Sequence, residues 1–383
     1  MAAITVPVSL GELVDKITIL DLKREFINDP IKRGHVQDEL TALSTQYDTV
    51  LIECPIIGFY AKMLKDINRV IWIAQDYIRE HPDDTTSCIQ IIKDNDRRFR
   101  VKNKINVHSL LKEQKGYPHK RAVFIGHTES GDSITNIGIV RYLSTLYDQV
   151  RVLTKNGSIS LVKHLYADDP TITVGDIREL QPSGPEISYG NAAVLREDYL
   201  TNYRKDHPGT DVIPVGAFSS RHFPLEFFYE EFYKAVDLNP DVRFVYNYIP
   251  RDPVIEAEIK TRFLPIDCAV GRAPYAFVHS KGVMPHLDLP IFTFSLAGDY
   301  YQSNHPWHGH WSPTDQILLP NFAKMLEDAT EIHIEDSSFF VLCCYLDLKN
   351  VKRLVVYKSR RSNYYNISRY PHSNQPWEVV TEW

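Results

Sequence analysis

The sequence predicts an α/β protein in which an all-α helical hairpin or coiled-coil segment precedes two α/β units with a cleft between them. Three observations carry that reading. The first hundred or so residues show apolar positions at spacings of three and four, as on narrow helix stripes. Beyond Gly116-Tyr117-Pro118 short apolar runs alternate with amphipathic segments, the rhythm of a parallel sheet covered by helices. Two of those runs lead through a polar loop directly into a helix: Phe124-Ile125-Gly126-His127-Thr128-Glu129-Ser130-Gly131-Asp132, and Ile334-Glu335-Asp336-Ser337-Ser338. A chain of 383 residues has room for two or three cores. The divisions read from it are a helical domain over 1–115, a first α/β unit over 116–250 and a second over 251–383.

The helical part begins at Ser9-Leu10-Gly11-Glu12, an S-x-x-E capping box that satisfies open N–H groups at a helix start. Leu10, Leu13, Ile17 and Leu20 follow on one face. A second stripe runs through Val36, Leu40, Leu43, Tyr47 and Val50, and a third through Tyr60, Met63, Ile67, Val70, Ala74 and Tyr77. Pro30 with Gly34 and Pro55 with Gly58 punctuate the helices. A fourth helix, over 86–107, is basic, with Lys93, Arg97, Arg98, Arg100, Lys102 and Lys104. Either a solvated face or a surface for an anionic partner explains it.

In the first α/β unit the expected elements are a strand over 121–125, a helix over 134–147, a strand over 150–154, a helix over 158–166 and a strand over 171–174. The stretch 175–240 is proline-rich and aromatic, with a helix expected over 227–233. In the second unit strands are expected over 275–279, 291–294, 331–334 and 352–357, with helices over 315–329 and 338–346.

Composition narrows the function. The chain is 43% hydrophobic and 24% charged with a net charge of −6, which argues against a protein built to coat nucleic acid. No run approaches the roughly 18 apolar residues of a membrane span. The opening residues lack the basic and then apolar regions of a signal peptide. Five cysteines, Cys54, Cys88, Cys268, Cys343 and Cys344, show no metal-ligand spacing and suit free thiols in a reducing compartment. The expectation is a cytoplasmic enzyme with no membrane span and no nucleic-acid partner. The P-loop, the G-x-S-x-G elbow, the H-E-x-x-H zinc helix and the G-x-G-x-x-G fingerprint are all missing.

Several short segments carry chemistry-bearing side chains. His127, Glu129 and Asp132 give the first loop groups able to move a proton, and Asp132 also suits an N-cap. Glu335-Asp336-Ser337-Ser338 offers either a cap or hydroxyls beside open backbone N–H groups for a diphosphate. Phe277-Val278-His279-Ser280-Lys281-Gly282 ends a strand in a polar turn whose lysine suits a phosphate leaving group. In Ile249-Pro250-Arg251-Asp252-Pro253, Asp252 reads as a cap that leaves Arg251 to point into a cleft. His305, His308 and His310 lie within six positions, without a cysteine or carboxylate at ligand spacing; a loop is expected and no metal site.

Taken together, these segments resemble the GT-B glycosyltransferases, in particular poorly characterised ones from large DNA viruses and bacteria. The likeness rests on His127-x-x-x-Gly131-Asp132, the helix Ile139-Val140-Arg141-Tyr142-Leu143, and Tyr147-Asp148-Gln149-Val150. The Arg251-Asp252, Phe277 to Ser280 and Glu331 to Phe339 segments then follow in the order of that group. It covers the chain from about Lys120 onward. Residues 7–20 separately resemble an uncharacterised helical domain. The resemblance implies a GT-B-like pair of Rossmann-type units and a nucleotide-diphosphate sugar, GDP- or UDP-linked, as co-substrate without a cofactor or metal. The second unit would hold the donor through Arg251, His279, Ser280, Lys281, Glu335, Asp336, Ser337 and Ser338. The first unit would face a glycan or other hydroxyl acceptor, with Gly131 and Glu129 on the acceptor loop and Asp132 or His127 as general base. The sequence departs from those relatives at Glu129-Ser130, where apolar or glycine residues are expected. A pyruvyl-type transferase and an inert transferase-like scaffold are the other readings. A homo-oligomer formed through the N-terminal helices is a further expectation, and if the protein is viral its place is the host cytoplasm.

Overall fold

The computed structural model describes residues 8–107, 120–126, 130–180, 197–215, 228–279, 291–297, 300–303, 317–335, 337–357 and 377–380. Four helices come first: α1 (Leu10–Phe26), α2 (Pro30–Glu53), α3 (Ile56–Glu80) and α4 (Thr85–Asn106). Side chains start three of them. Ser9 Oγ accepts from Glu12 N–H, Asp29 accepts from Ile31 and Lys32, and Asp84 accepts from Thr86 and Ser87. Pro30 takes the first turn of α2, where its missing N–H costs nothing, whereas Gly34 and Gly58 lie inside helices rather than between them.

The basic helix corrects both expectations made for it. Arg97, Arg100, Lys102 and Lys104 are buried, and each meets a carboxylate. Arg97 Nη1 donates to Asp94 at 2.8 Å, Arg100 Nε to Asp148 at 3.1 Å, and Lys104 Nζ to Asp169 at 2.8 Å. Asp148 and Asp169 belong to the α/β part, so the charges of α4 hold the helices against it. Tyr246, from the link between the units, enters the core that α3 and α4 share.

The next elements are β1 (Arg121–Ile125), α5 (Ser130–Thr135), α6 (Ile137–Leu146), β2 (Gln149–Thr154), α7 (Ile159–Leu165), β3 (Ile172–Asp176), α8 (Glu197–Asp206) and β4 (Thr210–Pro214). Their strands form a parallel sheet in the order β3-β2-β1-β4. Side chains alternate between its faces. Phe124, Val150 and Val152 enter the main core, while Val123, Ile125 and Leu153 pack with Ile177, Leu180, Leu200 and Tyr203. The single helix expected over 134–147 is two helices that meet at Asn136, and β4 lies in the proline-rich stretch where no strand was read.

The chain then crosses through α9 (Phe228–Lys234), α10 (Val242–Val245), α11 (Pro253–Phe263) and α12 (Ile266–Ala269). The last set is β5 (Ala276–His279), β6 (Ile291–Ala297), β7 (Tyr300–Ser303), α13 (Ala323–Glu327), β8 (Glu331–Glu335), α14 (Ser338–Cys343), β9 (Arg353–Tyr357) and β10 (Glu378–Val380). The order is β10-β9-β8-β5-β6-β7, parallel except for the β6–β7 pair. α13 is shorter than the 315–329 expectation, because Pro320 opens a 3₁₀ turn, Leu319–Phe322, ahead of it. One core joins residues of both sheets, among them Phe124, Phe277, Phe322 and Phe340. Among the described residues no helix is long and apolar enough to cross a membrane.

Candidate functional site

Each sheet reverses its strand order once, and the two polar loops singled out above lie at those reversals. In the first sheet β2 and β3 lie on one side of β1, and β4 lies on the other; Val215 N–H donates to Ile125 O at 2.8 Å there. In the second, β6 and β7 extend one way from β5 and β8 lies on the opposite flank, with His279 in register with Ile334. At such a reversal successive connections leave toward opposite faces, which opens a crevice outside the carboxyl ends of the strands. β1 ends at one reversal, and the ends of β5 and β8 flank the other.

The helices that follow β1 and β8 are in contact. A Cβ built on Gly131 in α5 would lie 3.4 Å from Val341 Cγ2 and 3.5 Å from Ser338 Cα in α14. The first turn of α5 thus meets the start of α14 at ordinary van der Waals distance, which an alanine would also allow.

Of the first-loop residues, Asp132 is the third residue of α5, buried at 7% exposure, with its carbonyl accepting from Asn136 N–H at 2.9 Å. It therefore sits inside the helix rather than at an N-cap. His127 and Glu129 lie outside the described residues.

On the second unit His279 ends β5, and its ring lies 4.8 Å from that of Phe339. Glu335 ends β8. Ser337 occupies the N-cap position of α14 in extended conformation (φ −152°, ψ 176°), yet its side chain caps nothing. Its Oγ is buried and has no hydrogen-bond partner among the described residues. Leaving such a hydroxyl unsatisfied costs about 1–3 kcal/mol, which a bound acceptor or donor atom would recover. Ser338 starts the helix against Gly131. Ser280, Lys281 and Asp336 lie outside the described residues, as do His305, His308 and His310.

Arg251 requires a correction. Asp252 caps α11 as expected, accepting from Val254 and Ile255 N–H, but the Arg251 guanidinium is taken up by two carboxylates. Its guanidinium donates to Glu256 at 2.6 Å and to Glu327 at 2.8 Å. Burial works against its charge, but the hydrogen bonds to Glu256 and Glu327 outweigh burial and raise its pKa. Arg251 ties α11 to α13 and has no guanidinium edge left over for a diphosphate.

Two features of the first unit were not read from the sequence. Arg141, fully buried in α6, donates to Asp168, to Leu165 O and to Tyr248 O, and Tyr60 of α3 joins it at Asp168. A small cavity also lies at the carboxyl ends of β1 and β2, lined by Gly126, Ser133, Asn136, Thr154 and Tyr166 among others. Their signal was faint: Asn136 interrupts the apolar spacing of 134–147, and Thr154 ends an apolar run. Among the described residues no three His, Cys, Asp or Glu side chains gather as a metal would need.

No family model matches the chain, and no curated protein matches it. Among solved structures it is similar to the Escherichia coli ADP-heptose lipopolysaccharide heptosyltransferase II, at 12% identity and a TM-score of 0.42, over 69% of this chain and 91% of that one. A glycosyl transferase family 9 protein of Veillonella parvula aligns at 8% identity and a TM-score of 0.39, over 71% of this chain and 90% of that one. The dodecameric iron-containing heptosyltransferase TibC, solved with ADP-D-β-D-heptose, aligns at 10% identity and a TM-score of 0.36, over 69% and 64%.

Proposed function

We propose that this protein is a glycosyltransferase that moves a sugar from a nucleotide-diphosphate sugar to a hydroxyl of a glycan or similar acceptor, without a bound metal. The observation that supports the reading is the Gly131–Ser338 contact between α5 and α14, two helices that each follow a strand at a strand-order reversal. A two-substrate reaction needs two ligands brought together with their reacting atoms aligned, and two strand ends whose following helices touch suit that requirement.

The roles divide between the units. The second takes the donor: Ser337 Oγ, buried without a partner among the described residues, and the Ser338 hydroxyl hydrogen-bond the diphosphate. Lys281 neutralises the charge that grows on the leaving nucleoside diphosphate, and the Ser280 hydroxyl hydrogen-bonds it. His279 and Glu335, at the ends of β5 and β8, and Asp336 take the base and ribose. The first unit takes the acceptor, and Asp132 accepts the proton of its hydroxyl as that oxygen attacks the anomeric carbon. His127 and Glu129 border the acceptor side in this scheme.

A panel of nucleoside diphosphates tests the reading by thermal shift, because a ligand that binds only the folded state stabilises it by about 2.7 kcal/mol at a hundred times its dissociation constant. GDP or UDP is expected to raise the melting temperature. If folded protein responds to no nucleoside diphosphate, the reading fails and the inert scaffold stands. Asp132→Asn is expected to lower turnover by about 10²–10⁴-fold with the nucleotide shift intact. Turnover that survives it would move the base to His127 or Glu129.

A further inference from the structure

The cavity at the ends of β1 and β2 is lined by two residues that each keep an unused polar atom, as far as the described residues go. Thr154 Oγ1 and Asn136 Oδ1 have no hydrogen-bond partner among the described residues, and their side chains are 3% and 2% exposed. Both residues line this cavity. Thr154 shares a strand face with Val150 and Val152, which pack in the main core. Valine would fill that position equally well, so the packing does not require the hydroxyl. Asn136 stands at the N-cap position of α6 but leaves the helix end uncapped. Its amide lies over Gly126, where a Cβ would come within 2.6 Å of Nδ2. The glycine thus makes room for an amide that points into the cavity. Phe124, Val152 and Val162 wall it on the apolar side, and Ser133, next to Asp132 in α5, lines it as well. The volume, about 10 Å³, accommodates one polar heavy atom and no more.

We propose that this cavity is a subsite for a single hydroxyl group of a polyhydroxylated ligand, with Asn136 Oδ1 accepting its hydrogen and Thr154 Oγ1 completing the pair. A hydroxyl both donates and accepts, which matches an acceptor-only oxygen beside a threonine that can do either. The subsite deepens the reading of the first unit as the acceptor side and rests on that reading. It makes the substrate a sugar or other polyol that is gripped at one hydroxyl while another reacts. Water has the same hydrogen-bonding chemistry, so the test separates the two sources.

Binding of a panel of methyl glycosides to the full-length protein would be measured by calorimetry for the wild type, Thr154→Val and Thr154→Ser. At least one glycoside is expected to bind the wild type, to bind Thr154→Val about tenfold more weakly, and to recover with Thr154→Ser. Equal affinity for the wild type and Thr154→Val overturns the proposal. So does the absence of any glycoside binding, or a crystal structure of the glycoside complex in which only an ordered water fills the cavity. The UDP and GDP thermal shift, run on the same samples, reads the donor function separately. A nucleotide shift without a glycoside effect sinks the subsite alone, and a glycoside effect without a nucleotide shift sinks the transferase reading while the polyol site stands.

Discussion

His333 shows how burial at one residue sets a property of the whole fold. It lies on β8 with both ring nitrogens engaged: Nδ1 is 3.1 Å from the Tyr357 hydroxyl and Nε2 is 3.0 Å from Glu331 Oε2. A neutral ring with its proton on Nε2 donates to the carboxylate and accepts from the tyrosine, so the pocket suits the uncharged form. Burial is the main cause that lowers its pKa below the ordinary 6.5, and Glu331 offsets it only in part. The sign of the pH effect follows. Below about 6.5 the unfolded chain takes up a proton that the folded ring still refuses, so stability is complete above that pH and is lost as pH falls toward the folded value. His164, also lowered chiefly by burial, acts in the same direction. The urea midpoint is expected to drop between about pH 7.5 and about pH 5, and His333→Gln to flatten that slope in part. An unchanged slope would show that the ring is not buried neutral. Residue roles of this kind were poorly legible in the sequence. Arg251 and Ser337 both sit in polar helix starts, yet one is consumed by Glu256 and Glu327 while the hydroxyl of the other has no hydrogen-bond partner among the described residues.

At the scale of elements, α4 shows where sequence reading stops. Its helical span was visible from capping and composition, but the destination of its charges was not, because Asp148 and Asp169 lie far along the chain. Lys104 donates to both oxygens of Asp169 at 2.9 and 2.8 Å, with both groups almost wholly buried. Lys104→Met leaves that carboxylate buried without its cation, and is expected to destabilise the full-length protein by about 3–5 kcal/mol in chemical denaturation. Adding Asp169→Asn, which removes the uncompensated charge, is expected to recover part of the loss. A single-variant cost below about 1 kcal/mol would place the pair in contact with water instead. Strands were legible where the apolar run was uninterrupted, as at 121–125 and 353–357. β4, β7 and β10 were not: β4 mixes Thr210, Asp211 and Pro214 with two apolar residues, β7 is Tyr300-Tyr301-Gln302-Ser303, and β10 has only three residues.

At the scale of the whole molecule, the proposed activity is expected to depend on how α5 and α14 meet. The Cβ of an alanine at Gly131 would make ordinary contacts at 3.4 to 3.5 Å with Val341 and Ser338, so Gly131→Ala is expected to fold and turn over much as the wild type does. Gly131→Leu must place three more carbons between the helices. It is expected to cost about 1–3 kcal/mol by overpacking and to lower turnover more than Gly131→Ala does. A fully active Gly131→Leu protein would argue that the two crevices do not act together. Periodicity, capping residues and the two polar loops, all local properties of the chain, were enough to predict an α/β protein behind a helical segment and the loops most suited to chemistry. Which strand lies beside which, that the loops leave at strand-order reversals, and that Gly131 comes to rest against Ser338 were decided by the tertiary structure. Those relations join residues distant in the chain, Gly131 and Ser338 by about two hundred positions, and only packing of the shared core, a sum over many distant contacts, selects them.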